Sequence, residues 1–120
     1  MEERRKHPRY QAESPLFVWD KLHNTLLGQV KDISEQGLEL ESQNRLRPDT
    51  VFKCQMSMPE NDDGVDFVSF EAASKWCNMG SENGTFNVGL EFVSITPGCQ
   101  AALVNLIMFW KSKKQNKVHQ

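Results

Sequence analysis

A chain of 120 residues, 38% hydrophobic and 25% charged, has ordinary globular composition and the length of one domain with a single core. No apolar run approaches the ~20 residues that span a bilayer. The N-terminus is charged but lacks the apolar stretch of a secretory signal, so the expectation is a cytoplasmic protein with no membrane insertion. Cys54, Cys77 and Cys99 are odd in number and widely spaced, which suggests neither a disulfide framework nor a zinc site.

The net charge of −2 is unevenly spread. Residues 1–9 carry four basic and two acidic groups, and residues 111–120 carry four lysines and no acid. The body between them has six basic against fourteen acidic residues. Such a body repels a duplex over most of its surface, so DNA is not an expected partner. A small anion held at one basic end is easier to accommodate.

In chain order, "ERRKHPRY" (3–10) opens a basic arm over residues 1–13, expected to be flexible until something binds it. "SPLFVWD" (14–20) and "TLLGQVKDIS" (25–34) are rich in strand formers. "GLELES" (37–42) alternates with Leu38 and Leu40 on one face, and the tight "SEQG" connection before it offers Gly37 for a positive φ. "LRPDT" (46–50) reads as a turn. "VFKCQMSM" (51–58) alternates Phe52, Cys54, Met56 and Met58 against polar residues, a half-buried strand by period.

After the polar loop "PENDDG" (59–64), "FVSFEAASKWC" (67–77) places Val68, Phe70, Ala72 and Trp76 on one face. A "GSENG" connection (80–84) leads into "TFNVGLEFV" (85–93), with Phe86, Val88, Leu90 and Phe92 on one face. The period then changes. Thr96 is a candidate N-cap and Pro97 a first helical residue, ahead of Ala102, Leu103, Leu106, Ile107 and Trp110 at helical spacing. The lysines gather at the C-terminal end, where the helix dipole favours them. The prediction is one mainly β domain over 1–120: arm 1–13, a six-stranded antiparallel barrel 14–95, a C-terminal helix 96–114 and a tail 115–120.

Catalysis finds no support. There is no G-x-S-x-G, H-E-x-x-H or phosphate-binding glycine loop, and His7, His23 and His119 are scattered. "NDDGVD" (61–66) lacks the spacing and the closing glutamate of a calcium loop. No metal, no cofactor and no enzymatic activity are expected. Two segments remain. One is Arg4, Arg5 and Arg9, with Arg5 and Arg9 spaced R-x-x-x-R; the other is "DISEQG" (32–37), a D-x-S-x-x-G at a strand–turn–strand corner.

Arginine's flat fork matches phosphate oxygens or the O6/N7 edge of guanine, and its face stacks on bases. An aspartate on a short turn accepts from the N1–H and N2–H₂ donors of guanine, and a serine two residues on returns to the same strand face. A following glycine permits close approach of a ligand to backbone. Guanine plus phosphate fits this set jointly. Alone, each segment has a plainer explanation: a solvated tail, and a turn in which Asp32 and Ser34 bond local backbone.

These two motifs, in this order ahead of a small barrel, resemble those of the PilZ domain family, receptor modules for cyclic di-GMP. "KWC" (75–77) and "NVGLEFV" (87–93) are similar to that family's last two strands. The resemblance implies a Greek-key-like barrel with the arm wrapping the ligand against its outer surface. It further implies that Arg5 and Arg9 contact guanine edges and phosphates, that Asp32 and Ser34 hold a guanine, and that Gly37 keeps the turn. An arginine at the position of Arg4 is associated in the family with two intercalated ligand molecules per chain. Trp76 belongs by period to the core, but the resemblance makes it a secondary ligand candidate. Gly89, which interrupts a strand, marks either a close backbone approach or a bulge.

The function implied is a non-enzymatic receptor that signals through a downstream protein. One alternative is a protein–protein adaptor of the same fold. Another is a single-stranded nucleic-acid binder, disfavoured by the acidic body and by phenylalanines that alternate as core.

Overall fold

The computed structural model describes residues 8–61 and 64–118, the last five as backbone only. Arg4, Arg5, Lys6 and His7 therefore lie outside the described residues. The elements are β1 (Tyr10–Gln11), β2 (Phe17–Asp20), β3 (Thr25–Ile33), β4 (Gly37–Ser42), β5 (Val51–Ser57), β6 (Phe67–Met79), β7 (Phe86–Ile95) and α1 (Pro97–Val118).

The strands run β3-β2-β5-β6-β7-β4, and β4 pairs back onto β3, closing a six-stranded barrel in which every pairing is antiparallel. Closure removes the unpaired edges that an open sheet of this size would present. Beyond β2, the two-residue β1 pairs with β3, Tyr10 opposite Ile33 and Gln11 opposite Asp32. The sheet thus takes up two residues that the sequence leaves in the arm, and the strand read from Ser14 begins at Phe17.

Period-2 patterning sets the wall. Leu16 and Val18 of the first hairpin, Leu38 and Leu40, Cys54 and Met56, and Val68, Phe70 and Ala72 all point inward and are buried. Phe70 and Phe92 meet edge to face, centroids 5.0 Å apart at 78°, a favoured aromatic geometry. Burial pushes the Cys54 thiol up to about 12, with the nearby Asp20 carboxylate adding to it, so this cysteine is an inert core group.

The helix begins where its sequence signals place it. Thr96 Oγ1 accepts the Cys99 N–H at 3.2 Å, satisfying one of the orphan donors of the first turn. Leu103, Leu106, Ile107 and Trp110 recur on one face and join the barrel's core cluster. Burying four such side chains stabilises the docked helix by roughly 1.5–3 kcal/mol each. The helix runs past the predicted residue 114 to Val118. No helix among the described residues is long and apolar enough to cross a membrane.

Candidate functional site

Register brings the site together on the outer wall. Gln11 pairs with Asp32, Asp32 with Glu39, Glu39 with Gly89, and Gly89 with Trp76. Facing residues in an antiparallel pair share a side of the sheet, so these five form one row across β1, β3, β4, β7 and β6. Ile33, Leu38, Leu40, Val88 and Leu90, their sequence neighbours, are buried. The row therefore faces outward.

Trp76 owes its place there to a β-bulge. The ladder of β6 on β7 shifts between Ser74 and Trp76, and one extra residue in a strand reverses the facing of every residue beyond it. Ser74 stays buried and bonds the 47–50 turn, donating to the Arg47 carbonyl and accepting the Thr50 N–H at 3.1 Å. Lys75 takes up the shift, and Trp76 emerges half-buried. Simple alternation puts Trp76 in the core; the structure corrects this and makes it a wall of a cleft.

Gly89 and Gly37 are both glycines of close approach. A Cβ on Gly89 would run into the Trp76 indole, and a Cβ on Gly37 would run into the Leu90 carbonyl. The positive φ expected at Gly37 is absent: among the described residues the glycines with positive φ are Gly64 (68°) and Gly84 (85°). What Gly37 accommodates is neighbouring β7 backbone rather than a left-handed turn.

The corner is held by its own serine. Ser34 N–H donates to the Gly37 carbonyl at 2.8 Å. Its hydroxyl accepts the Gln36 N–H at 3.2 Å and donates to the Gly37 carbonyl at 3.4 Å. The Gln36 carbonyl accepts the Phe92 N–H at 2.8 Å, tying the turn to β7. Asp32 differs: its side chain turns to the charged residues beside it. Arg9 Nη1 lies 3.9 Å from Asp32 Oδ1 and 3.4 Å from Glu39 Oε1, and Lys31 Nζ lies 3.8 Å from Glu39 Oε2. Burial and the neighbouring Asp32 carboxylate push the Glu39 carboxyl upward, against the pull of Lys31 and Arg9.

Two depressions flank this cluster. A cleft of about 200 Å³ is lined by Arg9, Ser34, Gln36, Gly37, Leu38, Lys75, Trp76, Gly89, Leu90 and Glu91. A shallower one of about 370 Å³ is lined by Arg9, Gln11, Lys31, Asp32 and Glu39. Arg9 borders both. The structure thus brings Arg9, Asp32, Ser34, Gly37, Trp76 and Gly89 to one outer surface, while Arg4 and Arg5 fall outside the described residues. Chemically the surface offers a guanidinium, two carboxylates and an indole packed on Gly89.

Sequence reasoning missed Glu39. The signal was present: a hairpin closed by Ser34–Gln36 pairs Ile33 with Leu38, and the next outward pair is then Asp32 with Glu39. It also missed Lys75, 3.6 Å from Glu91 and on the rim of the cleft. No group of three His, Cys, Asp or Glu side chains among the described residues could hold a metal ion.

A closed six-stranded antiparallel barrel with a docked C-terminal helix places the chain among small β-barrel domains. The family model for the PilZ domain matches residues 3–109, and the chain belongs to that family. Among solved structures, the PilZ domain of YcgR from Escherichia coli with c-di-GMP superposes with a TM-score of 0.72 at 17% identity, covering 98% of this chain and 99% of that one. YcgR from Escherichia coli in complex with c-di-GMP gives 0.76 at 18% identity, covering 98% of this chain and 50% of that one. The Bacillus subtilis inhibitor of motility MotI/DgrA gives 0.72 at 17% identity, covering 96% and 53%. The chain thus spans about half the length of YcgR and of MotI. A comparison with proteins of curated function finds no match.

Proposed function

We propose that this chain is a non-enzymatic receptor for cyclic di-GMP. The single observation that carries the reading is the outward row Asp32–Glu39–Gly89–Trp76 with Arg9 at its edge. It sets Arg9 of one motif beside Asp32 of the other, on a fold whose solved relatives include structures with c-di-GMP. The Asp32 carboxylate is turned to side chains rather than to the backbone of its own corner, which leaves it available to guanine donors. Arg9 supplies a fork for phosphate or a guanine edge, and the exposed indole face of Trp76 offers a stacking surface for a purine.

In this reading Arg5 and Arg9 close over the dinucleotide against Asp32, Ser34 and Gly37, and Arg4 engages a second ligand molecule. Ordering of the arm changes a surface that a downstream protein reads. Calorimetric titration of the full chain with cyclic di-GMP, beside an Arg5→Ala, Arg9→Ala double variant and with cyclic di-AMP as competitor, tests binding, site and stoichiometry together. Saturable heat from cyclic di-GMP, lost in the double variant and unmatched by the adenine dinucleotide, is the expected result. Equal binding of both dinucleotides refutes guanine recognition, and one ligand per chain removes the role given to Arg4.

A further inference from the structure

Glu39 occupies the middle of the outer row, between Asp32 on one side and the Gly89–Trp76 pair on the other. Its side chain is only 15% exposed, and it is the nearer of two carboxylates to Arg9: 3.4 Å from Nη1, against 3.9 Å for Asp32. Its other oxygen faces Lys31, whose ammonium also donates to Asn87 Oδ1 at 3.1 Å. Lys31 is thereby anchored from β7, while Arg9 sits at the start of the sheet on the border of two depressions. One depression holds Asp32 and Glu39; the other holds Ser34 and Trp76.

An anionic dinucleotide approaching this wall meets a problem of like charge. Two carboxylates stand side by side on it, and the guanidinium that a phosphate needs is already engaged. A charge-assisted contact made in the free protein and broken on binding subtracts from affinity. A half-buried carboxylate left beside a phosphate subtracts further.

We propose that Glu39 is an affinity-setting residue of the dinucleotide site: it holds Arg9 in the ligand-free protein, and the ligand must draw that guanidinium away. This rests on the cyclic di-GMP reading. Arg9 lines both depressions, so rotation about its side-chain bonds transfers the fork from Glu39 to the cleft without a change in strand pairing. Lys31, held by Asn87, then remains as the cation facing Glu39. Asp32 does not substitute for Glu39, since it is farther from Arg9 and its acceptors are the ones that guanine uses.

The test is a double-mutant cycle on the full chain, read by calorimetry with cyclic di-GMP at fixed salt and pH: wild type, Glu39→Gln, Arg9→Ala and the pair. Glu39→Gln is expected to tighten binding by roughly two- to fivefold. In the Arg9→Ala background the gain shrinks to what direct carboxylate–phosphate repulsion supplies. Glu39→Thr, a strand former at an outward strand position, serves as a second neutral variant with the same expected direction, and circular dichroism verifies each fold. Unchanged or weaker binding by both folded variants overturns the proposal, as does a gain undiminished by removal of Arg9. If wild type binds and the Glu39 variants do not differ from it, only the role of Glu39 falls. If neither wild type nor variants bind, the cyclic di-GMP reading falls and this inference with it.

Discussion

The indole of Trp76 lies over Gly89, in the space that any side chain at position 89 would claim. The ring is half-buried, so it can swing outward when crowded, at the expense of the cleft it walls. Gly89→Ala is therefore expected to cost stability modestly, about 1–2 kcal/mol, while weakening cyclic di-GMP binding tenfold or more. Tryptophan fluorescence with thermal denaturation separates the two effects. A variant that loses neither ring environment nor affinity would show that the indole is no part of the site.

Gly37 behaves differently, because its neighbour is backbone. A methyl group there meets the Leu90 carbonyl of the adjacent strand, and the Gly37–Glu91 pairing at the start of β4 has to open. Gly37→Ala is expected to destabilise the fold by about 2–3 kcal/mol, seen as a lowered denaturant midpoint with an unchanged slope. Gly37→Asn serves as the contrast. Asparagine is tolerated at a left-handed turn position, yet here it should be no better than alanine.

Asp32 and Arg9 separate in their salt response. Each alanine variant should weaken cyclic di-GMP binding by about tenfold to a hundredfold, as expected for a contact of about 1–3 kcal/mol. Removing a guanidinium that meets phosphate should flatten the dependence of affinity on salt; removing Asp32 should leave the slope as it was. Titrations at two ionic strengths measure both quantities. Identical slopes for all three proteins would place Arg9 on guanine alone.

Asp20 closes the β2–β3 hairpin. Its Oδ1 accepts the N–H groups of Leu22 and His23 at 2.9 and 3.3 Å, and Oδ2 lies 2.9 Å from His23 Nδ1. Burial pushes this carboxyl up, but the hydrogen bonds from His23 and Leu22 and the nearby imidazole more than offset it, leaving it below its ordinary value. A depressed folded-state pKa stabilises above the unfolded value and loses that contribution as pH falls. Asp20→Ala should therefore cost about 1–3 kcal/mol at neutral pH. The gap to wild type should narrow below about pH 4, in chemical denaturation followed across pH.

Much of this was legible from residue order. Alternation placed the strands, and Thr96 with Pro97 located the helix start to the residue, because caps and period-2 faces are local physics. The bulges were not legible. No local signal says that β6 gains a residue at Lys75, just past the buried Ser74 that bonds the 47–50 turn, and Trp76 changes sides as a result. Likewise Gly37 announced a constraint but not its source, since the carbonyl it makes room for belongs to a strand more than fifty residues away. Asp32 could be named from its motif. Its partner Glu39 required the pairing register as well.

Tyr10 and Gln11 are fastened to Ile33 and Asp32, which fixes the point on the barrel from which the preceding residues start. From Arg9 back to Arg5 the backbone reaches at most ~14 Å, so the second guanidinium of the motif can never be far from the corner, whatever path those residues take. In the cyclic di-GMP reading, capture is then governed by tether length as much as by charge. Inserting a few glycines between Arg9 and Tyr10 is then expected to weaken cyclic di-GMP binding while keeping every side chain the reading invokes.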